Sequence, residues 1–151
     1  MSLAYDKYYQ TENLFGVACP ELIQFFKNYK NKGRVLDLGC GQGRDSIAIA
    51  RLGFDVFAID NSSVGVQQMN ALAKKENLTL KGVVSDMYEF DEFGMYDFIL
   101  LDSIFHFAAR DHEKEVHFIK KVITAIATKS IVVFCIQDTV KKIAILKGNK
   151  Q

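Results

Sequence analysis

The stretch Arg34-Val35-Leu36-Asp37-Leu38-Gly39-Cys40-Gly41-Gln42-Gly43-Arg44-Asp45-Ser46 decides the fold. Its first five residues form a short, mainly apolar run that enters a glycine cluster, the pattern of a strand buried on both faces of a parallel sheet. Glycine at alternate positions lets the backbone turn tightly and be approached where a Cβ would obstruct. Helical periodicity starts at about Arg44 and runs to Leu52, and Gly53 supplies the left-handed cap.

Outward from this stretch the pattern repeats. Asp55 to Asp60 reads as a second strand. Asn61-Ser62-Ser63 then offers cap oxygens to a helix with Val66, Met69, Leu72 and Ala73 on one face. Leu78 to Ser85, interrupted by Gly82, is a third strand and Tyr96 to Asp102 a fourth. Asp111 can cap a helix striped by Val116, Ile119, Ile123 and Ile126, and Ser130 to Ile136 is a fifth strand. Upstream, Pro20 opens a helix carrying Leu22, Ile23, Phe25, Phe26 and Tyr29, which ends at Lys30-Asn31-Lys32-Gly33. Strands alternating with helices predict an α/β fold, a doubly wound, mainly parallel sheet with helices on both faces. The expected organisation is a single domain over 1–151: an N-terminal helical cap (1–33), a core (34–139) and a short C-terminal element (140–151), with Lys142 to Leu146 as its candidate helix or strand.

The 151 residues suffice to bury a core, with 49% hydrophobic and 25% charged residues. A formal net charge of +1 supplies no global field toward nucleic acid or an acidic membrane, so neither partner is expected. Cys19, Cys40 and Cys135 are too widely spaced for a disulfide framework. With His106, His112 and His117 they form no metal-ligand pattern, and no metal is expected. No signal-peptide pattern opens the sequence and no apolar run reaches membrane-spanning length, so the expected location is the cytoplasm.

In sheets of this kind ligands bind beyond the carboxyl ends of the strands, beside the first one. A dinucleotide fingerprint would need glycine where Arg44 stands, and a P-loop would need Gly-Lys-Ser/Thr, which is absent. The turn therefore suits a ligand without a diphosphate. Asp60 closes the second strand about twenty residues on, where an acid accepts from both hydroxyls of a ribose. Asp60 could instead cap the next helix, but Asn61, Ser62 and Ser63 already supply that cap. Arg44 either stabilises a carboxylate or begins a solvated helix face, and the second reading is preferred.

Val35 to Ser46 resembles the first motif of the Rossmann-like S-adenosylmethionine-dependent methyltransferases, and Gly53 to Asp60 continues the likeness. With Tyr96-Asp97-Phe98-Ile99-Leu100, the sequence resembles in particular the small methyltransferases that include the tellurite-resistance type. The likeness runs from about Val35 to Val133. It implies that Asp37 and the backbone of Gly39 and Gly41 face the methionine end of the cofactor, with Cys40 a cofactor-binding residue of the same turn; a small cysteine in a tight loop is more often packed than reactive. Gly43 would turn the chain into the helix, Asp60 would hold the ribose and Asn61 would lie along the adenine edge. Asp86 would accept from the adenine amino group, and Met87 would pack on the ring. Asp102 and Ser103 would sit near the sulfonium and the acceptor. Each has a plainer alternative: Asp86 as a turn residue, Met87 as core, Asp102 and Ser103 as a strand end.

The acceptor side would be lined by Tyr9, Ser103 and His106. Tyr5, Tyr8, Tyr9 and Phe15 either close over the methionine or pack the N-terminal helix against the sheet. His106 is a candidate general base, although a histidine between Phe105 and Phe107 is more often a packed residue.

The resemblance implies methyl transfer from S-adenosylmethionine to a small-molecule acceptor, leaving S-adenosylhomocysteine, and a homodimer is compatible with it. A non-catalytic S-adenosylmethionine-binding module acting as a subunit or regulator is the alternative. A nicotinamide oxidoreductase is opposed by Arg44. DNA amino-group methylation is opposed by Leu101-Asp102-Ser103-Ile104, which stands in place of an Asn-Pro-Pro-Tyr type motif.

Two departures from the family pattern stand out. Thr128-Lys129-Ser130 replaces the usual Pro-Gly-Gly type turn. Only 140–151 remains for the two strands that usually end the sheet, so the expectation is either a shortened chain or a smaller sheet.

Overall fold

A computed structural model of the chain describes residues 2–136 and 140–148. Five parallel strands form one sheet in the order β3-β2-β1-β4-β5: β1 (Arg34–Leu38), β2 (Asp55–Asp60), β3 (Leu80–Val84), β4 (Phe98–Asp102) and β5 (Ile131–Cys135). The helices are α1 (Ser2–Tyr8), α2 (Pro20–Lys27), α3 (Arg44–Arg51), α4 (Ser63–Lys75), α5 (His112–Ala125) and α6 (Val140–Gly148). The doubly wound α/β architecture expected from the sequence is the one observed. The expected limit of the core at 139 and the last residues of the C-terminal element lie outside the described residues.

Burial explains the layering. Leu36, Leu38, Ile59, Ile99 and Leu101 point to one face, where they meet Phe118, Ile119 and Val122 of α5. Val35, Val56, Phe98 and Leu100 point to the other, against Leu22 and Phe26 of α2 and Ile49 and Ala50 of α3. Ala58 lies on this second side beneath Val66, Met69 and Ala73 of α4. Strands with core on both faces carry apolar residues on both, which is why Val35, Leu36 and Leu38 make β1 read as a mainly apolar run.

Several local expectations shift. β3 is shorter than Leu78 to Ser85, and Gly82 does not interrupt it. Asn70 of α4 instead accepts the Gly82 N–H at 2.8 Å and donates to its carbonyl at 3.0 Å. One amide thus satisfies both outward-facing backbone groups of an edge-strand residue. Between β3 and β4 the chain makes two 3-10 turns, Met87–Glu89 and Phe93–Met95. On α5 the buried positions are Glu115, Phe118, Ile119 and Val122, and Ile123 is 36% exposed. The apolar stripe is therefore rotated relative to the one read from Val116, Ile119, Ile123 and Ile126, because Phe118 fills a ring cluster with Tyr88 and Phe93. Asp111 sits before α5 without a side-chain cap bond, and Leu72 of α4 is 36% exposed.

Candidate functional site

The carboxyl ends of β3, β2, β1 and β4 open onto one cleft of about 1150 Å³. Across it, in sheet order, lie Asp86 and Met87, then Asp60 and Asn61, then Gly39, Cys40, Gly41 and Gly43, then Asp102 and Ser103. Neighbouring strands are about 4.8 Å apart, so three steps span about 14 Å, room for a nucleoside with an extended tail. Tyr9 and His106 also line the cleft. Asp37 does not, being 2% exposed beneath the turn.

The glycine turn leaves β1 with Gly39, Gly41 and Gly43 all at positive φ, and Gly43 precedes the first turn of α3. The space their missing side chains leave is approached by the protein's own side chains. A Cβ on Gly41 would lie 2.6 Å from the Tyr9 hydroxyl oxygen, and one on Gly39 would lie 2.5 Å from Ile104 Cγ2. Asp60 braces this turn: Oδ2 accepts the Gly41 N–H at 2.9 Å and Oδ1 accepts the Ser62 N–H at 2.7 Å. The helix cap itself is Ser62, whose hydroxyl accepts from the Gly65 N–H at 3.0 Å. Asn61, free of that duty, is exposed at the cleft wall. Asp86 caps the 3-10 turn by accepting the Tyr88 N–H at 2.9 Å, and the Met87 side chain is half-buried.

Acid groups gather at the base of the cleft. Burial pushes Asp37 up to about 8, reinforced by Asp45 and opposed by the Ser46 hydroxyl, which donates to Asp37 at 2.6 Å. Asp45 is pushed up by burial, and its bonds to Arg44 work against that rise. Burial also raises Cys40 and Tyr9, the latter with help from Asp60. Cys40 is thus held as a thiol, in a side chain that is largely buried at the cleft wall.

Arg44 departs from the expected solvated helix face. Its Nε and Nη2 donate to Asp45 at 2.9 and 3.0 Å, and Nη2 donates to Asp102 at 2.7 Å. Asp102 in turn accepts from the Ser103 hydroxyl at 2.6 Å, and Ser103 holds a left-handed φ of 55°. Phe107 is left-handed too, at 52°. Buried Glu115 accounts for that bend by accepting the N–H groups of Phe107 at 2.7 Å and His106 at 3.3 Å. Phe105 and Phe107 are core residues, whereas His106 between them is exposed.

The N-terminal segment straps across the turn. Asp6 accepts from Ser62, Ser63 and Val64 at the start of α4. Gln42 donates to the Thr11 carbonyl and accepts from the Leu14 N–H, each at 2.9 Å, while Gln68 donates to the Tyr9 carbonyl at 2.8 Å. Of the four aromatics considered for this region, Tyr9 is buried over Gly41, whereas Tyr5, Tyr8 and Phe15 are 49%, 62% and 56% exposed. Asp6, Gln42, Gln68 and Glu115 were not singled out from the sequence. Polar residues in helices and loops carry no periodic signal of such a role.

The geometry can be set beside known proteins. The family described as "Tellurite resistance protein TehB" matches residues 2–140. A curated relative, "Probable S-adenosyl-L-methionine-dependent methyltransferase TehB" of Haemophilus influenzae, is 37% identical over 78 residues, 52% of this chain and 27% of that protein. The crystal structure of TehB from Haemophilus influenzae superposes with a TM-score of 0.69 at 26% identity, covering 86% of this chain and 44% of the other. A SAM-dependent methyltransferase from Agrobacterium tumefaciens shares the fold, with a TM-score of 0.69 at 16% identity over 87% of this chain and 48% of that one. The match thus spans less than half the length of each of these proteins. The chain belongs to the tellurite resistance protein TehB family.

Proposed function

We propose that this chain binds S-adenosylmethionine in the cleft at the ends of β1 to β4 and moves its methyl group to a small-molecule acceptor. The observation that carries the reading is the placement of an acid brace, Asp60, directly against the glycine turn, with Asp86 and Met87 on one side and Asp102 and Ser103 on the other. Family membership and the resemblance of Val35 to Ser46 support the same cofactor.

The residues present fit that group. Asp60 keeps acceptor capacity beyond its two backbone donors and would take the ribose hydroxyls. Asn61, Asp86 and Met87 would take the adenine, and the turn from Gly39 to Gly43 the amino-acid tail. Asp37 supports the turn from below. When bound, the cofactor supplies an electrophilic methyl on a cationic sulfur, so the chain's own work is orientation and exclusion of water. Ser103 and His106 would face the acceptor. The Ser103 proton is committed to Asp102, leaving the oxygen's lone pairs to orient a donor. The same proposal takes 1–151 as one cofactor-binding domain and places it in the cytoplasm. Three unpaired thiols suit a reducing compartment, and no helix among the described residues is long and apolar enough to cross a membrane.

The test has two stages. S-adenosylhomocysteine should raise the melting temperature while NAD does not; at one hundred times its dissociation constant a ligand adds about 2.7 kcal/mol. Transfer of labelled methyl to one member of a panel of small thiols, amines, hydroxyls and oxyanions should follow. Binding without transfer to any acceptor would favour the non-catalytic module, and no melting shift at millimolar ligand would remove the cofactor.

A further inference from the structure

Two left-handed residues bracket the wall on the acceptor side. Ser103 has a φ of 55° and Phe107 a φ of 52°, and both carry a Cβ. Backbone of that kind is costly outside glycine and persists only where the surroundings hold it. Between the brackets, Ile104 lies against the glycine turn at Gly39, Phe105 is buried and His106 is exposed in the cleft.

Each bracket is held twice. The Ser103 N–H donates to the Cys135 carbonyl at 2.8 Å, and its hydroxyl donates to Asp102 at 2.6 Å. At Phe107 the two bonds flank the Cα itself. The N–H, in the peptide unit before it, donates to Glu115 at 2.7 Å, and the carbonyl, in the unit after it, accepts from Lys141 Nζ at 3.2 Å. Peptide units are planar, so holding one on each side of a Cα sets both of its dihedrals. The holders come from different helices, α5 and α6, and each has the charge that strengthens its own bond. Glu115 is 4% exposed, a costly place for a carboxylate, and its two oxygens accept from His106 and Phe107. The Phe105 and Phe107 rings stack with centroids 5.8 Å apart, which ties the bend to the segment before it.

Resting on the methyl-transfer reading above, we propose that Glu115 and Lys141 are positioning residues for the acceptor. By holding the Phe107 bend from both sides they fix the wall from Ile104 to His106 relative to the glycine turn. Through Lys141, α6 then serves a cleft that none of its described residues lines.

Lys141 is exposed, so replacing it leaves the core in place. The experiment follows Lys141→Met, Lys141→Arg and Glu115→Gln in the full chain. The acceptor probes are 2-mercaptoethanol, benzylamine and phenol, and the cofactor probe is S-adenosylhomocysteine. With the acceptor that wild type methylates fastest, Lys141→Met should lower kcat about tenfold, as a small misplacement of reacting groups does. Its affinity for S-adenosylhomocysteine should stay within about twofold of wild type. Lys141→Arg keeps a donating cation and should recover most of the lost kcat. Glu115→Gln, which can still accept a backbone N–H, should resemble Lys141→Met. The imidazole resonance of His106, assigned by its loss in His106→Gln, should shift in Lys141→Met and return in Lys141→Arg. A lower melting temperature with unchanged kcat, an unshifted His106 resonance, or equal losses of kcat and cofactor affinity would overturn the positioning role and leave the methyl-transfer reading intact. No transfer by wild type to any of the probes, with S-adenosylhomocysteine still bound, would overturn transfer to such acceptors and the positioning role together.

Discussion

Asp60 and Gly41 are joined by a hydrogen bond of 2.9 Å, from the Gly41 N–H to the carboxylate that ends β2. The bond crosses from one strand to the turn that follows its neighbour, so the acid at the proposed ribose position is also part of the scaffold.

Asp60→Ala should therefore lower both affinity and stability. Affinity for S-adenosylhomocysteine should fall about tenfold to a hundredfold, from the loss of charge-assisted bonds. The melting temperature should fall by about 3 °C or more, since two N–H groups lose their acceptor. Asp60→Asn should fall between Ala and wild type. Calorimetry and thermal melting measure the two effects separately, and an unchanged melting temperature would show the brace to be dispensable.

Gly65→Ala tests the packing of α4 on the turn. A helix interior gains about 1 kcal/mol from this exchange when nothing opposes it. Here the added Cβ would lie 2.6 Å from the Gly41 carbonyl oxygen and 2.9 Å from its carbon, both backbone atoms. Overpacking of that kind costs about 1–3 kcal/mol, enough to reverse the sign. The variant should melt lower and bind the cofactor more weakly, and a rise in melting temperature would contradict this contact.

Asp37 gives the protein a pH dependence of unusual sign for an acid. Its folded value of about 8 lies above the ordinary 3.8, through burial first and then Asp45, Asp102 and Asp60, with the Ser46 hydroxyl working the other way. Arg44 also feels this acid. The folded state thus holds a proton that the unfolded chain releases. Its contribution to stability is complete below about pH 4 and is lost as pH rises toward 8. Asp37→Asn mimics the protonated form and should melt about 3 °C or more above wild type at pH 8, with the gap closing at pH 5. A constant difference across that range would show that Asp37 does not titrate there.

The loop after β4 yields a pair of predictions. Glu115→Ala leaves the Phe107 and His106 N–H groups without their acceptor and should cost about 2–4 kcal/mol in denaturant unfolding. His106→Gln leaves those backbone bonds intact and should lower methyl transfer less than about tenfold, with an unchanged pH–rate profile. A loss of about a hundredfold in the second variant would make His106 a general base.

The sheet was legible in the sequence because its signals are local and redundant. β1 and the turn after it occupy thirteen consecutive residues, Arg34 to Ser46, and β2 repeats the logic. Positions along the cleft followed once strand ends could be numbered, as with Asp60, Asp86 and Asp102. What escaped was polar and long-range. Arg44 resembled a solvated residue because its partner Asp102 is fifty-eight positions away. Glu115 carries no sign in the sequence that its carboxylate is buried against backbone N–H groups. The α5 stripe was misjudged for a related reason, since aromatic neighbours from another segment selected the buried side.

The two edges of the sheet have different fates. At β3 the Asn70 amide closes the ladder as a stopper would, occupying at Gly82 the groups a new strand would need. At the other end, Ile131-Val132-Val133-Phe134-Cys135 is apolar and uncharged, and no strand among the described residues pairs with its outer side. Growth of the sheet by a further chain therefore has a direction. In concentrated or partly unfolded preparations of this chain, association is expected to start at Ile131–Cys135, the side where the ladder stands open.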